Sequence, residues 1–205
     1  MTEVQSTTSR GYAWNTLILG IGNLLWADEG FGVRCVETLN ARYALPDDAR
    51  VMDGGTQGIF LLPWVRSARR LLIFDAIDFG LAPATLRLIT GEDVPRYMGA
   101  KKVSMHQAGF QEVLSSAALT GDFPTDIALI GAQPERLDDY GGSLTPAVRA
   151  QIEPALRLAL ELLAAWGIVC TPRSQPLTPG ESIGPPALAI RDYESGRPGV
   201  RAEGQ

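Results

Sequence analysis

Cysteine and histidine are scarce in this chain of 205 residues, and their scarcity limits the chemistry available to it. The two cysteines, Cys35 and Cys170, show no CxxC spacing, which argues against a disulfide framework. We expect both thiols to be inert and the protein to work in a reducing compartment. His106 is the single histidine, so it is the only imidazole that a functional site could use.

The sequence also has no long apolar run and no cluster of basic residues. No stretch reaches the roughly 18 apolar residues of a membrane span. The polar N-terminus lacks the apolar core of a signal peptide. A net charge of −5 argues against nucleic acid or an anionic membrane surface as the main partner. We therefore expect a cytoplasmic protein with no nucleic-acid partner and no membrane insertion.

The sequence motifs of several common enzyme classes are missing. There is no G-x-S-x-G nucleophile elbow and no Walker-type lysine, and Cys35 lies in a predicted helix, where it is a poor nucleophile. The segment 20–25 keeps two glycines of the dinucleotide fingerprint but has leucine at the third position. A nucleotide-binding domain that uses this turn is one alternative, and it predicts stabilisation by NAD or ATP.

The chain alternates apolar segments, typical of buried strands, with amphipathic segments typical of helices. Strands are predicted at 16–21, 50–52, 71–74, 85–89 and 126–130, and helices at 31–43, 59–67, 108–119 and 144–166. Pro154 should kink or divide the last helix, and a loop is expected from Gly91 to Ser104. Strands that alternate with helices imply an α/β fold, a single domain with a twisted, mostly parallel sheet of about five strands sandwiched between helices.

Composition divides the chain into three parts. Residues 1–15 are predicted to be a disordered leader, and residues 16–170 the folded domain. Residues 171–205 are rich in proline and glycine and show no periodic apolar pattern, so they are predicted to be a disordered tail. We favour an unstructured remainder over a segment that threads along a partner.

Acidic residues follow three of the predicted strands. Glu29 comes after the first strand, Asp53 after the second and Asp75 directly after the four apolar residues of the third, while His106 precedes a helix. Because the carboxyl ends of parallel strands face one crevice, these side chains could converge there. Two carboxylates and one imidazole suit a divalent transition metal and leave coordination positions open.

Each of these residues also has a structural explanation. Asp28 and Glu29 stand next to a helix start, where N-capping is the commonest role of an acid. Asp53 before two glycines can form a turn, and a lone His106 can be a polar loop residue. Asp75 is harder to explain in this way, since a carboxylate after a buried strand needs a partner or a function. Spacing alone leaves both interpretations open.

Four blocks, in a fixed order along the chain, resemble one known family: GIGNLLWADEGFG, DGGTQG, IFDAID and SMHQAG. GAQPE at 131–135 and LTPAV at 144–148 extend the likeness, which runs from about Thr16 to about Trp166. These blocks are similar to those of the nickel–iron hydrogenase maturation endopeptidases of the HyaD/HybD/HupD type. The leader and the tail lie outside the resemblance.

The resemblance implies an α/β endopeptidase, of the aspartyl type, that removes a C-terminal extension from a nickel–iron hydrogenase large-subunit precursor after nickel insertion. It maps the family's metal-contacting residues onto Glu29, Asp75 and His106, and it links Asp53 to activity or specificity. We therefore expect catalytic roles for these four residues. Asp28 is expected to be a cap or a supporting group, and the general base stays open between Asp53 and Asp28.

Three protein ligands with only one imidazole would hold a metal poorly by themselves. We therefore expect no permanently bound metal, and we hypothesise that nickel comes with the precursor and completes its coordination on the enzyme. A non-catalytic, nickel-dependent chaperone of the large subunit is the alternative.

Overall fold

The computed structural model describes residues 11–100, 105–184, 188 and 193. The strands in this part are β1 Trp14–Ile21, β2 Tyr43–Ala44, β3 Ala49–Gly55, β4 Ala68–Ala76, β5 Leu86–Thr90, β6 Asp126–Ala132 and β7 Thr171–Pro172. The α-helices are α1 Phe31–Arg42, α2 Leu62–Arg66, α3 Asp93–Ala100, α4 Met105–Leu119, α5 Pro146–Arg149 and α6 Ile152–Ala165. Two 3-10 helices, Ala27–Gly30 and Gly58–Leu61, precede α1 and α2. Among these helices, none has the length and apolarity needed to cross a bilayer.

Five strands form one sheet in the order β3-β1-β4-β6-β5. The first four are parallel to their neighbours, and β5 runs antiparallel to β6 at the edge. The strands β4 and β6 are almost wholly buried, as continuous apolar runs in a parallel sheet should be, whereas β5 exposes Arg87, Leu88 and Thr90 and buries Ile89. The predicted α/β fold, a mostly parallel sheet of about five strands between helices, is confirmed.

Apolar side chains form a core on each face of the sheet. On one face, residues such as Ile18 and Phe74 pack with α1 and α6, and on the other, Leu19 and Ile73 pack with α2 and α4. Successive residues of a strand point to opposite faces, so these two sets follow directly from strand periodicity. Each large apolar side chain that is fully buried contributes about 1.5–3 kcal/mol.

Glycine lets α1 sit directly on the ends of two strands. A Cβ atom at Gly32 would lie 2.2 Å from the carbonyl oxygen of Phe74 and 2.3 Å from that of Ile21. No side chain fits there, because both neighbours are backbone atoms near the carboxyl ends of β1 and β4. The first turn of α1 is therefore fixed above the carboxyl ends of β1 and β4.

Two proline-containing segments show how the helices are divided. The loop predicted after Gly91 contains α3, so that prediction is wrong for residues 93–100. Pro95 lies in the first turn of α3, where its missing N–H has no helical partner to lose. The long C-terminal helix is divided, as predicted, and its break at 150–151 places Pro154 in the first turn of α6.

Residues 171–184 follow a defined path, which differs from the disordered tail that their composition predicts. The strand β7 pairs antiparallel with β2, and the amides of Arg173 and Leu177 donate to the carbonyls of Arg42 and Ala41 at the end of α1. Main-chain hydrogen bonds of this kind need no apolar periodicity, so composition does not reveal them. We call the described residues 171–184, 188 and 193 the C-terminal strap. The leader predicted over residues 1–15 is wrong for its last two residues, because Trp14 and Asn15 belong to β1. Residues 1–10 of that leader and the rest of the tail lie outside the described residues.

Candidate functional site

Three of the candidate acids lie at the carboxyl edge of the sheet, where β1, β3 and β4 end. Asp53 and Asp75 belong to β3 and β4, and Glu29 belongs to the 3-10 helix between β1 and α1. Gly22 makes the turn after β1 possible, because a Cβ atom there would lie 1.8 Å from the carbonyl oxygen of Glu29. The glycine turn thus fixes the backbone of Glu29 next to the end of β1.

Glu29 is half-buried, and burial raises the pKa of its carboxyl group to about 7. Both protonation states are therefore populated near neutral pH. A cation that binds this carboxyl group would favour its ionised form, because ligation requires loss of the proton. Glu29 is thus able either to exchange a proton or to take part in metal binding.

Asp75 is completely buried, and its Oδ1 accepts a hydrogen bond of 2.8 Å from the amide of Ala76. It follows Phe74 in β4, so its side chain points to the opposite face of the sheet from Phe74. This is the face that α4 covers, where Phe110 and Val113 pack in the same core as Ile73. Asp75 therefore belongs to the α4 side of the carboxyl edge.

His106 lies in the first turn of α4, and its side chain is outside the described residues. One turn later, a Cβ atom at Gly109 would lie 3.3 Å from the Cα atom of Gly58. The start of α4 therefore approaches the loop after β3 through a contact between two glycines. Among the side chains that the structure describes, no group of three His, Cys, Asp or Glu residues could hold a metal ion. The triad of Glu29, Asp75 and His106 stays a prediction.

Asp53 lies on the other face of the sheet. Gly20 is in register with both Asp53 and Phe74, so the side chain of Asp53 points, like that of Phe74, toward α1. Burial raises the pKa of Asp53, while a hydrogen bond from the amide of Gly55 and the charge of Arg34 partly oppose that rise. The structure therefore groups Asp53 with α1 and places Asp75 on the α4 side.

Asp28 has a structural role that differs from capping the helix after it. Neither the 3-10 helix 27–30 nor α1 has a side-chain cap. Asp28 is instead fully buried and accepts hydrogen bonds from the amides of Glu135, Arg136 and Thr145 and from the hydroxyl group of Thr145, at 2.7–3.1 Å. These bonds tie the loop that carries Glu29 to the loop after β6. With both oxygens engaged, Asp28 is a poor candidate for the general base.

Sequence reasoning missed Gln133, which holds the loop that follows Asp75. Its Oε1 accepts hydrogen bonds from the amides of Phe79 and Leu81, and its Nε2 donates to Asp78. The only signal for this residue was its place in the GAQPE block, which says nothing of its contacts. A buried amide that bridges three groups of one loop fixes that loop beside the candidate site.

A comparison with known proteins identifies the family. The family model for hydrogenase maturation proteases matches residues 33–162. The hydrogenase expression/formation protein HoxM of Azotobacter vinelandii is 59% identical over 184 residues, which cover 90% of this chain and 87% of HoxM. The hydrogenase 2 maturation protease of Escherichia coli K12 is 44% identical over 158 residues, or 77% of this chain and 95% of that protein.

The fold agrees with this result. The solved structure of the hydrogenase maturating endopeptidase HybD from E. coli superposes with a TM-score of 0.74 at 43% identity, and the match covers 78% of this chain and 98% of that one. The resemblance that the sequence blocks indicated is thereby confirmed. The family model matches more than half of this chain, and the two relatives align over most of their own length. The chain therefore belongs to the hydrogenase maturation protease family and is a peptide-bond hydrolase.

Proposed function

We propose that this protease removes the C-terminal extension of a nickel–iron hydrogenase large-subunit precursor after nickel insertion. The observation that carries the proposal is the pair of acids at the carboxyl edge: a half-buried Glu29 whose pKa is about 7, and a fully buried Asp75 at the end of β4. Burial raises the free energy of the ionised form of both carboxyl groups, unless a proton neutralises the charge or a hydrogen-bond donor or a cation stabilises it. In a hydrogenase maturation protease, the nickel of the substrate is the cation that fits.

Glu29, Asp75 and His106 would contact the nickel that the precursor already carries. Two carboxylates and one imidazole are ligands that a divalent transition metal accepts, and they leave positions for the ligands of the precursor. The pKa of Glu29 means that nickel displaces a proton at neutral pH with little cost. Nickel thus acts as the recognition element, and a precursor without it is not processed.

The bound metal would supply Lewis acidity, which polarises the scissile carbonyl group or a water molecule. Asp53 approaches the same edge from the α1 side, so it acts on the peptide and leaves metal contact to the other acids. It is the better of the two candidates for the general base, since Asp28 is occupied by the amides of the loop after β6. An acidic residue in this role makes the enzyme an aspartyl-type protease.

Exposed aromatic side chains around this edge supply a surface for the precursor. Phe60 in the 3-10 helix after β3 is 77% exposed. Trp26 and Tyr140 meet edge to face with their ring centroids 5.3 Å apart, and the Tyr140 side chain is largely exposed. Aromatic residues of this kind are enriched at protein interfaces, and here they lie in loops that follow β1, β3 and β6.

The proposal is tested by incubating the full-length protein with its large-subunit precursor, with and without nickel, and following precursor length by mass spectrometry. We expect only the nickel-loaded precursor to shorten. Glu29→Gln, Asp75→Asn and His106→Ala should abolish cleavage while the circular dichroism spectrum stays unchanged. Glu112→Gln, at an exposed position of α4, is the matched control and should cleave like the wild type.

Two results would overturn the proposal. One is equal cleavage of the nickel-loaded and nickel-free precursors, and the other is normal cleavage by His106→Ala. Co-elution of the two proteins without any shortening would instead support the non-catalytic chaperone.

A further inference from the structure

An arginine is fully buried in α1, next to the candidate site. The Nη1 atom of Arg34 donates to Oε2 of Glu37 at 2.7 Å and to the carbonyl oxygen of Leu188 at 2.6 Å. The guanidinium carbon lies 5.6 Å from the centre of the Tyr193 ring. Two of these three contacts come from the C-terminal strap.

Burying this side chain is costly, because a guanidinium group keeps its charge at every physiological pH. Such a charge is tolerated inside a protein only when it is paired and hydrogen-bonded. The strap supplies a main-chain carbonyl and an aromatic face, both of which stabilise a cation. Arg34 thus provides a fixed positive charge whose position depends on the strap.

That charge serves two carboxylates. A Cβ atom at Gly184 of the strap would lie 2.9 Å from Oε1 of Glu37 and 3.8 Å from Oδ2 of Asp53. Glu37 and Asp53 therefore face the same glycine, one from α1 and the other from β3. Two carboxylates that face one glycine repel each other, and the charge of Arg34, which pairs with Glu37 and lowers the pKa of Asp53, offsets this repulsion.

We infer that Arg34, fixed in place by the strap, is a positioning residue that holds the carboxylate of Asp53 ready for the processing reaction. The inference deepens the proposed function, on which it rests for the role of Asp53. From α1, the charged groups of Arg34 and Glu37 face Asp53. From the strap, the uncharged Gly184 lies against Asp53 and Glu37, and the phenol of Tyr193 lies against Arg34. In register with Asp53, β1 contributes the uncharged Gly20.

The arrangement gives two substitutions with opposite expected effects. Burial raises the pKa of Asp53, and the charge of Arg34 lowers it. Arg34→Gln should therefore raise the pKa of Asp53 further. Glu37→Gln removes a neighbouring negative charge, so the positive charge of Arg34 is no longer shared with Glu37. This substitution should therefore lower the pKa of Asp53. A purely structural role of Arg34 predicts no such pair of opposite shifts.

The first measurement is a carboxyl ¹³C NMR titration of Asp53 in the full-length protein. We expect the midpoint to move up in Arg34→Gln, down in Glu37→Gln, and to stay in place in Arg42→Gln. Arg42 is the matched control, since it lies in the same helix but pairs with Glu153. If Arg34→Gln does not fold, Glu37→Gln decides alone, and an unchanged midpoint in that variant overturns the inference.

The second measurement is the pH dependence of precursor cleavage. In Arg34→Gln the acid limb should move to higher pH, with a loss of about tenfold on that limb, while Arg34→Lys should restore the wild-type profile in large part. A uniform loss at every pH would contradict a positioning role. The NMR titration needs no substrate, so a wild-type protein that fails to cleave would refute the proposed function while the titration still decides the inference.

Discussion

At the scale of single residues, burial acts differently on the three acids of the carboxyl edge. Asp75 is completely buried and accepts a hydrogen bond from the main-chain amide of Ala76. For Asp53, a hydrogen bond from a main-chain amide and the charge of Arg34 both oppose the rise in pKa that burial causes. Burial raises the pKa of Glu29 to about 7, which is close to neutral pH. The charge of Glu29 therefore responds readily to binding.

The pKa of Glu29 predicts a pH dependence of stability. The folded chain holds this proton more tightly than the unfolded chain, so the contribution of Glu29 to the free energy of unfolding falls as the pH rises from about 4.5 to about 7. Glu29→Gln removes the ionisable group, and its melting temperature should exceed that of the wild type at pH 8. The difference should vanish near pH 4.5, as differential scanning fluorimetry can show.

Glu112→Gln is the control for that experiment, because residue 112 is exposed on α4. It should change stability little at either pH. Equal pH dependence of the wild type and Glu29→Gln would contradict the assigned pKa.

The candidate residues were predictable one at a time, but their grouping was not. An acid directly after a buried strand, such as Asp75, is visible in the sequence. Which face of the sheet an acid occupies depends on strand register, and a shift of one residue moves every side chain to the other face. The sequence allowed Asp53 and Asp75 to converge in one crevice, but it could not show that the register of β1 with β3 and β4 sends their side chains to opposite faces.

At the scale of elements, close backbone contacts position the site. Gly32 seats α1 on the ends of β1 and β4, and Gly109 brings α4 to the loop after β3. The strap then runs back along α1, held at one end by the carbonyls of Arg42 and Ala41 and at the other by Arg34. Both helices that flank the carboxyl edge are thus fixed by contacts that tolerate little change.

The strap gives a prediction with an internal control. Gly184 has a φ of +91°, and a side chain there would meet Glu37, so Gly184→Ala should strain and loosen the strap. Gly180 lies in the same strap with nothing within 4 Å of its Cβ position, and Gly180→Ala should leave the strap in place. Hydrogen exchange at the amide of Leu177 should be at least several-fold faster in Gly184→Ala alone.

Similar exchange rates in the two alanine variants would show that Gly184 does not hold the strap. Faster exchange across the whole sheet would indicate global destabilisation and would also contradict the prediction.

Elements with a strong local pattern were predictable from the sequence, and elements defined by tertiary contacts were not. The helix α1 carries clear apolar periodicity and the strand β4 an uninterrupted apolar run, and the structure places both where these patterns indicate. The helix α3 was hidden by Pro95 and two glycines, although Val94 and Met98 one turn apart bury its inner face. The strap depends on carbonyl groups of α1, which a one-dimensional pattern cannot show.

At the scale of the whole molecule, the two edges of the sheet differ in purpose. The carboxyl edge carries the acids and the exposed aromatic residues of three loops. Leu119 is also exposed, by 89%, but it ends α4 near the edge where β6 begins. Phe60 at the carboxyl edge and Leu119 at the opposite edge are both exposed apolar side chains. Leu119 can therefore serve as the control when Phe60 is tested as part of the proposed binding surface.

Phe60→Ser should weaken capture of the precursor. Loss of a large exposed aromatic side chain from an interface costs about 1–2 kcal/mol, so the KM for cleavage should rise roughly tenfold with little change in kcat. Leu119→Ser should leave both constants unchanged. An equal effect of the two substitutions, measured by steady-state kinetics with the nickel-loaded precursor, would place the binding surface elsewhere.

The contact between Arg34 and Leu188 joins residues 154 positions apart. A ribosome makes the chain from its N-terminus, so this contact cannot form until Leu188 has been synthesised. The sheet strands and α1 are complete much earlier, and during that interval the guanidinium group of Arg34 has no strap to cover it. Arg34 and the strap thus meet beside Asp53 only after the sheet and α1 have been made, and a chain that ends before Leu188 lacks this contact.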